Sequence, residues 1–327
     1  MRRDSSSACP DCEQPFERRL FLQAAGAAAL AGTLLPIERS AYAAPAATGA
    51  AETTAGKLFA SLSDTQKQAV CFPFEHELRK RISANWHITK PTIESDFYTK
   101  DQQRMIDEIV RKITSEDGYE RIKQQTEYDD GGLGAYSIAM FGSPDTGKFQ
   151  WTLTGRHLTL RADGDTVDKT AFGGPIVYGH GEEDASANLF LYQTKQTNEV
   201  FKALEGKQRE KALLSEGTPK EDAVAIQGDQ GKFAGIGVAE LSADQKQLVE
   251  ATLKVLLAPY RQEDVDEVMA ILKATGGVEK LHMAFYQQGD LKNDKVWDVW
   301  RIEGPAFVWH FRGAPHVHAY INIAQKA

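Results

Sequence analysis

Apolar positions along this chain recur first at helical spacing, then in alternation, then at helical spacing again, and finally in alternation to the end. Residues 58–70 predict a helix carrying a Ser63/Gln66 capping box. Residues 102–114 predict another, with Met105, Ile106, Ile109, Val110 and Ile113 on one face, and residues 119–127 continue it after Gly118. Two strands follow at 135–141 and 149–160, the second interrupted at Gly155. Helices return at 188–204 and 207–214, and a short extended run spans 223–226. Residues 242–257, with a Ser242/Gln245 box, and 262–274, ending at Gly276-Gly277, predict two more helices. Strand-like segments at 281–287, 296–302, 306–311 and 316–323 close the chain. This order predicts an α+β fold, a largely antiparallel sheet with packed helices.

No long linker interrupts residues 57–327, which read as a single domain, and the Ala- and Thr-rich residues 44–56 read as a flexible lead-in. The stretch Leu62-Ser63-Asp64-Thr65-Gln66-Lys67-Gln68 is echoed by Leu241-Ser242-Ala243-Asp244-Gln245-Lys246-Gln247. Either a duplicated half-domain or two favourable helix starts explains the echo, and the second is the simpler expectation.

Residues 1–43 have the pattern of a twin-arginine export signal: Arg18-Arg19-Leu20-Phe21-Leu22, an apolar stretch at 24–35, and the small-x-small site Ala41-Tyr42-Ala43. Glu17 and Gln23 depart from the residues usual beside the arginine pair. The apolar stretch is about half of the roughly 20 residues that a spanning helix needs. The expectation is therefore a periplasmic or secreted protein, handled by the twin-arginine export machinery, with no stable membrane span in the mature chain. Cys9 and Cys12 lie in the leader, so cleavage leaves Cys71 alone, without a disulfide partner and amid apolar neighbours suited to a core. The net charge of -8 on 327 residues offers no basic footprint for nucleic acid.

The chain has neither GxSxG nor HExxH. Gly142 to Lys148 matches GxxxxGK, but Phe149 stands where magnesium binding needs Ser or Thr, and the segment reads as a turn between strands. The histidines are more informative. His316 and His318 are one residue apart, so a strand points both imidazoles to one face. His310 lies just upstream, and His157 alternates with Thr159 and Arg161 in a strand-like run. If three or four of His157, His310, His316 and His318 converge, they form a site for zinc, copper or iron. His180, followed by Glu182 and Glu183, and His87 are candidates for acid/base or supporting roles. Arg156 or Arg312 would orient an anionic small-molecule substrate. With three ligands and an open position, such a metal would activate water for hydrolysis, or oxygen if it is copper or iron. The alternative is a non-catalytic periplasmic ligand-binding protein with a pocket of Trp86, Trp151, Trp297, Trp300 and Trp309.

Several blocks resemble a family of proteins of unknown function, DUF3500. They are Phe72-Pro73-Phe74-Glu75, Asn85-Trp86-His87-Ile88, Phe141-Gly142, Gly155-Arg156-His157-Leu158, Phe172-Gly173-Gly174-Pro175, Arg301-Ile302-Glu303-Gly304-Pro305 and His316-Val317-His318. The likeness runs from about Ser63 to Ile323 and implies a shared fold and pocket, with no activity attached. Two positions depart from the family pattern. Arg156 replaces the first histidine of a pair, and His310 stands where a carboxylate is frequent. If that position ligates a metal, nitrogen in place of oxygen favours softer ions such as copper or zinc.

Overall fold

The structure is a computed structural model that describes residues 44–326, apart from Leu291; the export pattern and Cys9 and Cys12 lie outside them. Its centre is one eleven-stranded sheet. The strands are β1 (Cys71–Phe72), β2 (Ser137–Ser143), β3 (Lys148–Gly155), β4 (Leu158–Ala162), β5 (Ile176–His180), β6 (Leu213–Leu214), β7 (Ile236–Gly237), β8 (His282–Tyr286), β9 (Val299–Gly304), β10 (Phe307–Arg312) and β11 (Val317–Ile323). Across the sheet they run β1-β2-β3-β4-β5-β11-β10-β9-β8-β6, with β7 paired to β8. Only the two-residue strands β1 and β6 run parallel to their neighbours, so the fold is α+β with a mostly antiparallel sheet.

The order of elements occurs twice. Helices Ala50–Ser61 and Asp64–Val70 lead into β1; helices Lys100–Lys112 and Glu116–Asp130 then lead into β2, β3, β4 and β5. Helices Leu191–Ala203 and Gly206–Ala212 lead into β6; helices Ala243–Leu257 and Gln262–Ala274 then lead into β8, β9, β10 and β11. The sheet reads the same outward in both directions from the antiparallel β5–β11 pair, as an approximate two-fold between those strands requires. Each half also joins two capping boxes through a glutamine pair. Gln66 and Gln102 exchange amide bonds of 2.8 and 3.1 Å, and Gln208 and Gln245 exchange bonds of 3.0 and 2.8 Å. The Leu-Ser echo at Ser63 and Ser242 falls on helices that are not counterparts in this order, so it marks two helix starts, and the repeat lies in the element order.

Helices cover one sheet face, where Phe307, Trp309 and Phe311 join the main core. The other face is covered by irregular chain. Ala84 and Val224 pack on Val177, Val308 and Tyr320, while Trp86 and Ile88 pack on Ala139 and Phe141. All five tryptophans are buried, and Trp151, Trp300 and Trp309 are completely enclosed, so they build core and not an open aromatic pocket.

Other local expectations need correction. Residues 50–56 are not a loose lead-in, because they begin the Ala50–Ser61 helix, whose Ala51, Glu52 and Ala55 are buried. The Ser63 box lies inside no single helix: Leu62 turns extended at ψ 131°, and the box starts the next helix. Residues 223–226 form no strand; Val224 is buried beneath a loop whose Ala223 carbonyl accepts from Arg301. The Gly142–Lys148 segment is the β2–β3 connection, built around a turn at Pro144–Thr146.

A buried acidic cluster joins the start of the first half to the second. Arg261 bridges Glu52, at 2.8 Å, and Asp264, at 2.9 Å, and the carboxylates of Asp163 and Glu267 lie in the same charge field. Burial, then Asp264 and Asp163, push the Glu267 carboxyl up from 4.5 to about 9. A carboxyl raised in the folded state costs nothing below its unfolded pKa and erodes stability as pH climbs towards the folded value. Glu267→Gln is therefore expected to leave the melting temperature nearly unchanged at pH 4.5 and to raise it at pH 8. The gain is on the order of a few kcal/mol, because a carboxyl kept protonated in the fold forgoes about 1.4 kcal/mol for each pH unit above its unfolded pKa, and thermal unfolding at the two pH values measures it.

Candidate metal centre

The β11 strand and the residue just before it set two imidazoles on the loop-covered face. His318 is opposite Gly179 on β5 and Arg312 on β10, and His316 precedes it by two residues. His157 arrives differently from expectation. It is not in a strand but is the second residue of the two-residue turn between β3 and β4, with φ +55° and its N–H held by the Ala84 carbonyl at 2.5 Å. This left-handed turn brings its ring to the same place. Gly179 makes the room: a Cβ there would lie 3.2 Å from the His157 Cβ and 2.2 Å from the Val317 carbonyl oxygen.

The three rings pack with centroids 5.1, 4.9 and 4.7 Å apart. One nitrogen from each of His157, His316 and His318 falls within a 4.8 Å group. Nitrogens 2.0–2.1 Å from a tetrahedral zinc ion would be about 3.4 Å apart, so this spacing suits three bonds to one ion after small adjustments.

Carboxylates fix which nitrogen faces inward. His157 Nδ1 lies 2.8 Å from Asp129 Oδ2, and a carboxylate only accepts, so Nδ1 carries a proton and Nε2 is the ring nitrogen left for the interior. Asp129 also accepts from Gln125 Nε2 and the Gly181 N–H, each at 2.8 Å. Burial raises its carboxyl, but these bonds outweigh burial and hold it below the usual range. In the same way His318 Nδ1 donates to Glu221 Oε2 at 2.7 Å. Burial acts upward on Glu221 too, and His318 and Arg312 win, keeping it ionised. Arg312 Nη2 approaches the same His318 Nδ1 at 2.8 Å, yet one imidazole nitrogen cannot donate to Glu221 and accept from Arg312 together. The carboxylate at 2.7 Å takes the proton, which leaves the Arg312 approach a contact between donors.

His318 Nε2 then presents a lone pair to His316 Nε2, 3.0 Å away. Burial, followed by the charges of His318 and Arg312, pushes the His316 pKa down to about 4, so this ring is neutral at pH 7. Burial likewise lowers His318. An outer ring nitrogen given to a carboxylate, as in His157 and His318, is the arrangement that metal-binding histidines need.

Arg312 touches this group, at 2.8 Å from His318 Nδ1 and 3.3 Å from His316 Nε2, while the remaining sequence candidates lie apart from it. His310 is on the same face but outside the 4.8 Å set, opposite Arg301 on β9 and Tyr320 on β11. His180 is opposite Val317, so it projects to the helix-covered face, where its ring meets Tyr128 at 4.8 Å and its Nδ1 accepts from the Leu189 N–H. His87 is exposed and donates through Nε2 to the Ala135 carbonyl at 3.0 Å. The Arg156 side chain is exposed, while its carbonyl accepts from the Tyr136 hydroxyl and Gln125. Asp129 and Glu221, which orient two of the three imidazoles, were not singled out from the sequence. Among the described residues no helix is long and apolar enough to cross a membrane.

No curated protein and no solved structure matches the chain. The DUF3500 family model does match, over residues 45–323, and those residues include all three converging histidines and both of their carboxylate partners. The chain thus belongs to DUF3500, a family of proteins of unknown function.

Proposed function

We propose that this protein is an exported metalloenzyme in which His157, His316 and His318 hold one transition-metal ion and leave a coordination position open. The observation that carries the proposal is the convergence of one ring nitrogen from each of His157, His316 and His318 within a 4.8 Å group, with the outer nitrogens of His157 and His318 given to Asp129 and Glu221. Three imidazoles suit zinc, copper or iron. Such an ion supplies Lewis acidity for hydrolysis, or electron transfer to oxygen if it is copper or iron. Asp129 and Glu221 orient the ligands and offset the charge. Arg312, partly exposed beside the centre, would hold an anionic group of the substrate. Export rests on the Arg18-Arg19 pattern, and the twin-arginine machinery would deliver the folded chain to the periplasm or beyond.

Elemental analysis of protein purified without a histidine tag from an exporting host tests the proposal. Roughly one zinc, copper or iron per chain is expected, as for other three-histidine centres. The metal found selects the assay, hydrolysis for zinc and oxidation for copper or iron. Protein that contains no metal and takes up none on addition would overturn the proposal.

A further inference from the structure

We propose a second site on the same sheet face, a pocket for a small monoanion at His310, between Arg301 and Arg312. It does not depend on a metal at the three-histidine centre. His310 is the register partner of both Arg301 and Tyr320, so these three side chains stand in a row across β9, β10 and β11. Arg312 shares the face two residues along β10, about 6.8 Å away. Covering chain closes the row from above, where Arg301 Nη2 donates to the Ala223 carbonyl at 2.6 Å and Glu221 faces Arg312.

The polar atoms here are incompletely paired. His310 is 1% exposed, and neither of its ring nitrogens has a hydrogen-bond partner. Arg301 Nη1 is likewise buried and unpartnered. Arg312 Nε lies 2.9 Å from Glu221 Oε1, an ion pair whose N–H is not aligned with the oxygen, so it too lacks a hydrogen bond. Four such atoms on three adjacent residues call for a guest, because buried polar groups in folded proteins are otherwise paired.

The chemistry of the four atoms selects that guest. Guanidinium nitrogens only donate, and a neutral imidazole offers one donor and one acceptor. Burial, then the Arg301 charge, brings the His310 pKa down to about 4, so the ring is neutral at pH 7. Donors therefore outnumber acceptors three to one, which favours a guest that chiefly accepts. Arg301 is already paired with Glu303 at 3.0 Å, and Arg312 with Glu221. Binding thus rests on hydrogen bonds and not on surplus charge, which fits a singly charged guest better than a phosphate. Val308, Tyr320 and Val177 cluster on the same face, and a halide or a small carboxylate head is enough to meet the unpaired atoms.

Bromide is the probe. Crystals grown without halide or carboxylate and soaked in bromide are expected to show an anomalous peak within hydrogen-bonding distance of Arg301 Nη1 and His310. In solution, bromide should raise the melting temperature of metal-free protein saturably, beyond an equal ionic strength of perchlorate. His310→Leu should weaken the bromide response at least tenfold, whereas His310→Gln, which keeps a donor and an acceptor, should retain most of it. Metal content, measured on the same samples, should be unchanged in both variants, which separates this site from the metal proposal. Bromide found only at surface positions, or a response that His310→Leu leaves intact, would overturn the anion site.

Discussion

His318→Ala is expected to abolish stoichiometric metal binding while leaving the protein folded. A structural zinc site with four ligands contributes about 10–16 kcal/mol, so one ligand carries roughly 3 kcal/mol, or about two orders of magnitude in affinity. The actual loss should be larger, because His318 is the ligand that Glu221 holds in its metal-binding tautomer. Folding should survive: without the imidazole, Arg312 and Glu221 remain paired at 2.9 Å, and the β10–β11 backbone ladder is untouched. His316→Ala should behave the same way, since its ring is held chiefly by its fellow ligands and Arg312. Elemental analysis after dialysis, with thermal unfolding as the control, reads both effects. A His318→Ala protein that retains full metal would rule out this centre.

Asp129→Asn is expected to lower metal affinity 10- to 100-fold, the usual effect of losing an oriented partner of a ligating histidine. The substitution preserves shape, yet it converts an all-acceptor group into one acceptor and one donor. Three donors converge on Asp129: His157 Nδ1, Gln125 Nε2 and the Gly181 N–H. An asparagine whose oxygen stays with Gly181 turns its NH2 towards both His157 and Gln125. His157 then accepts at Nδ1 and carries its proton on Nε2, the nitrogen the metal needs. Competition against a chelator of known affinity measures the loss, and Asp129→Ala gives the comparison in which the tautomer is left free. Equal affinity for Asp129→Asn and the parent protein would show that the His157–Asp129 pair only supports the fold.

Part of this centre could be read from the sequence because its information is local. The one-residue spacing of His316 and His318 pointed to a common face, although the strand begins only at Val317 and His316 sits in the bend before it. His157 was a candidate for the wrong local reason: its run alternates like a strand, yet a two-residue turn with a left-handed residue carries the ring. Such a turn at a non-glycine position leaves little mark in a single sequence. Asp129 ends a helix 28 residues before His157, and Glu221 sits in a loop 97 residues before His318, so only the tertiary fold could identify them. The element types were largely legible because long periodic runs dominate them. The edge strands β1 and β6 are too short to show a period, and the alanine-rich start looked loose although Ala51 and Ala55 are fully buried. The repeated order of elements was not visible in the sequence because the side chains of the two halves differ. Its remaining traces are the Gly131-Gly132 and Gly276-Gly277 pairs after matching helices, and Ile138-Ala139-Met140-Phe141 beside Met283-Ala284-Phe285-Tyr286.

The two halves do not contribute equally to the centre. Gly155 and Leu158 enclose the Arg156–His157 turn, and Gly304 and Phe307 enclose its counterpart, Pro305–Ala306. Asp129 stands two residues before its glycine pair, where the second half has Ala274. The second half thus lacks both groups, but it supplies His316, His318 and Glu221 to the centre of the first. Neither half alone holds a complete set of ligands. An ion bound there would act as a rivet across the β5–β11 seam, turning two structurally similar halves into one cooperative unit whose joint strength depends on metal supply.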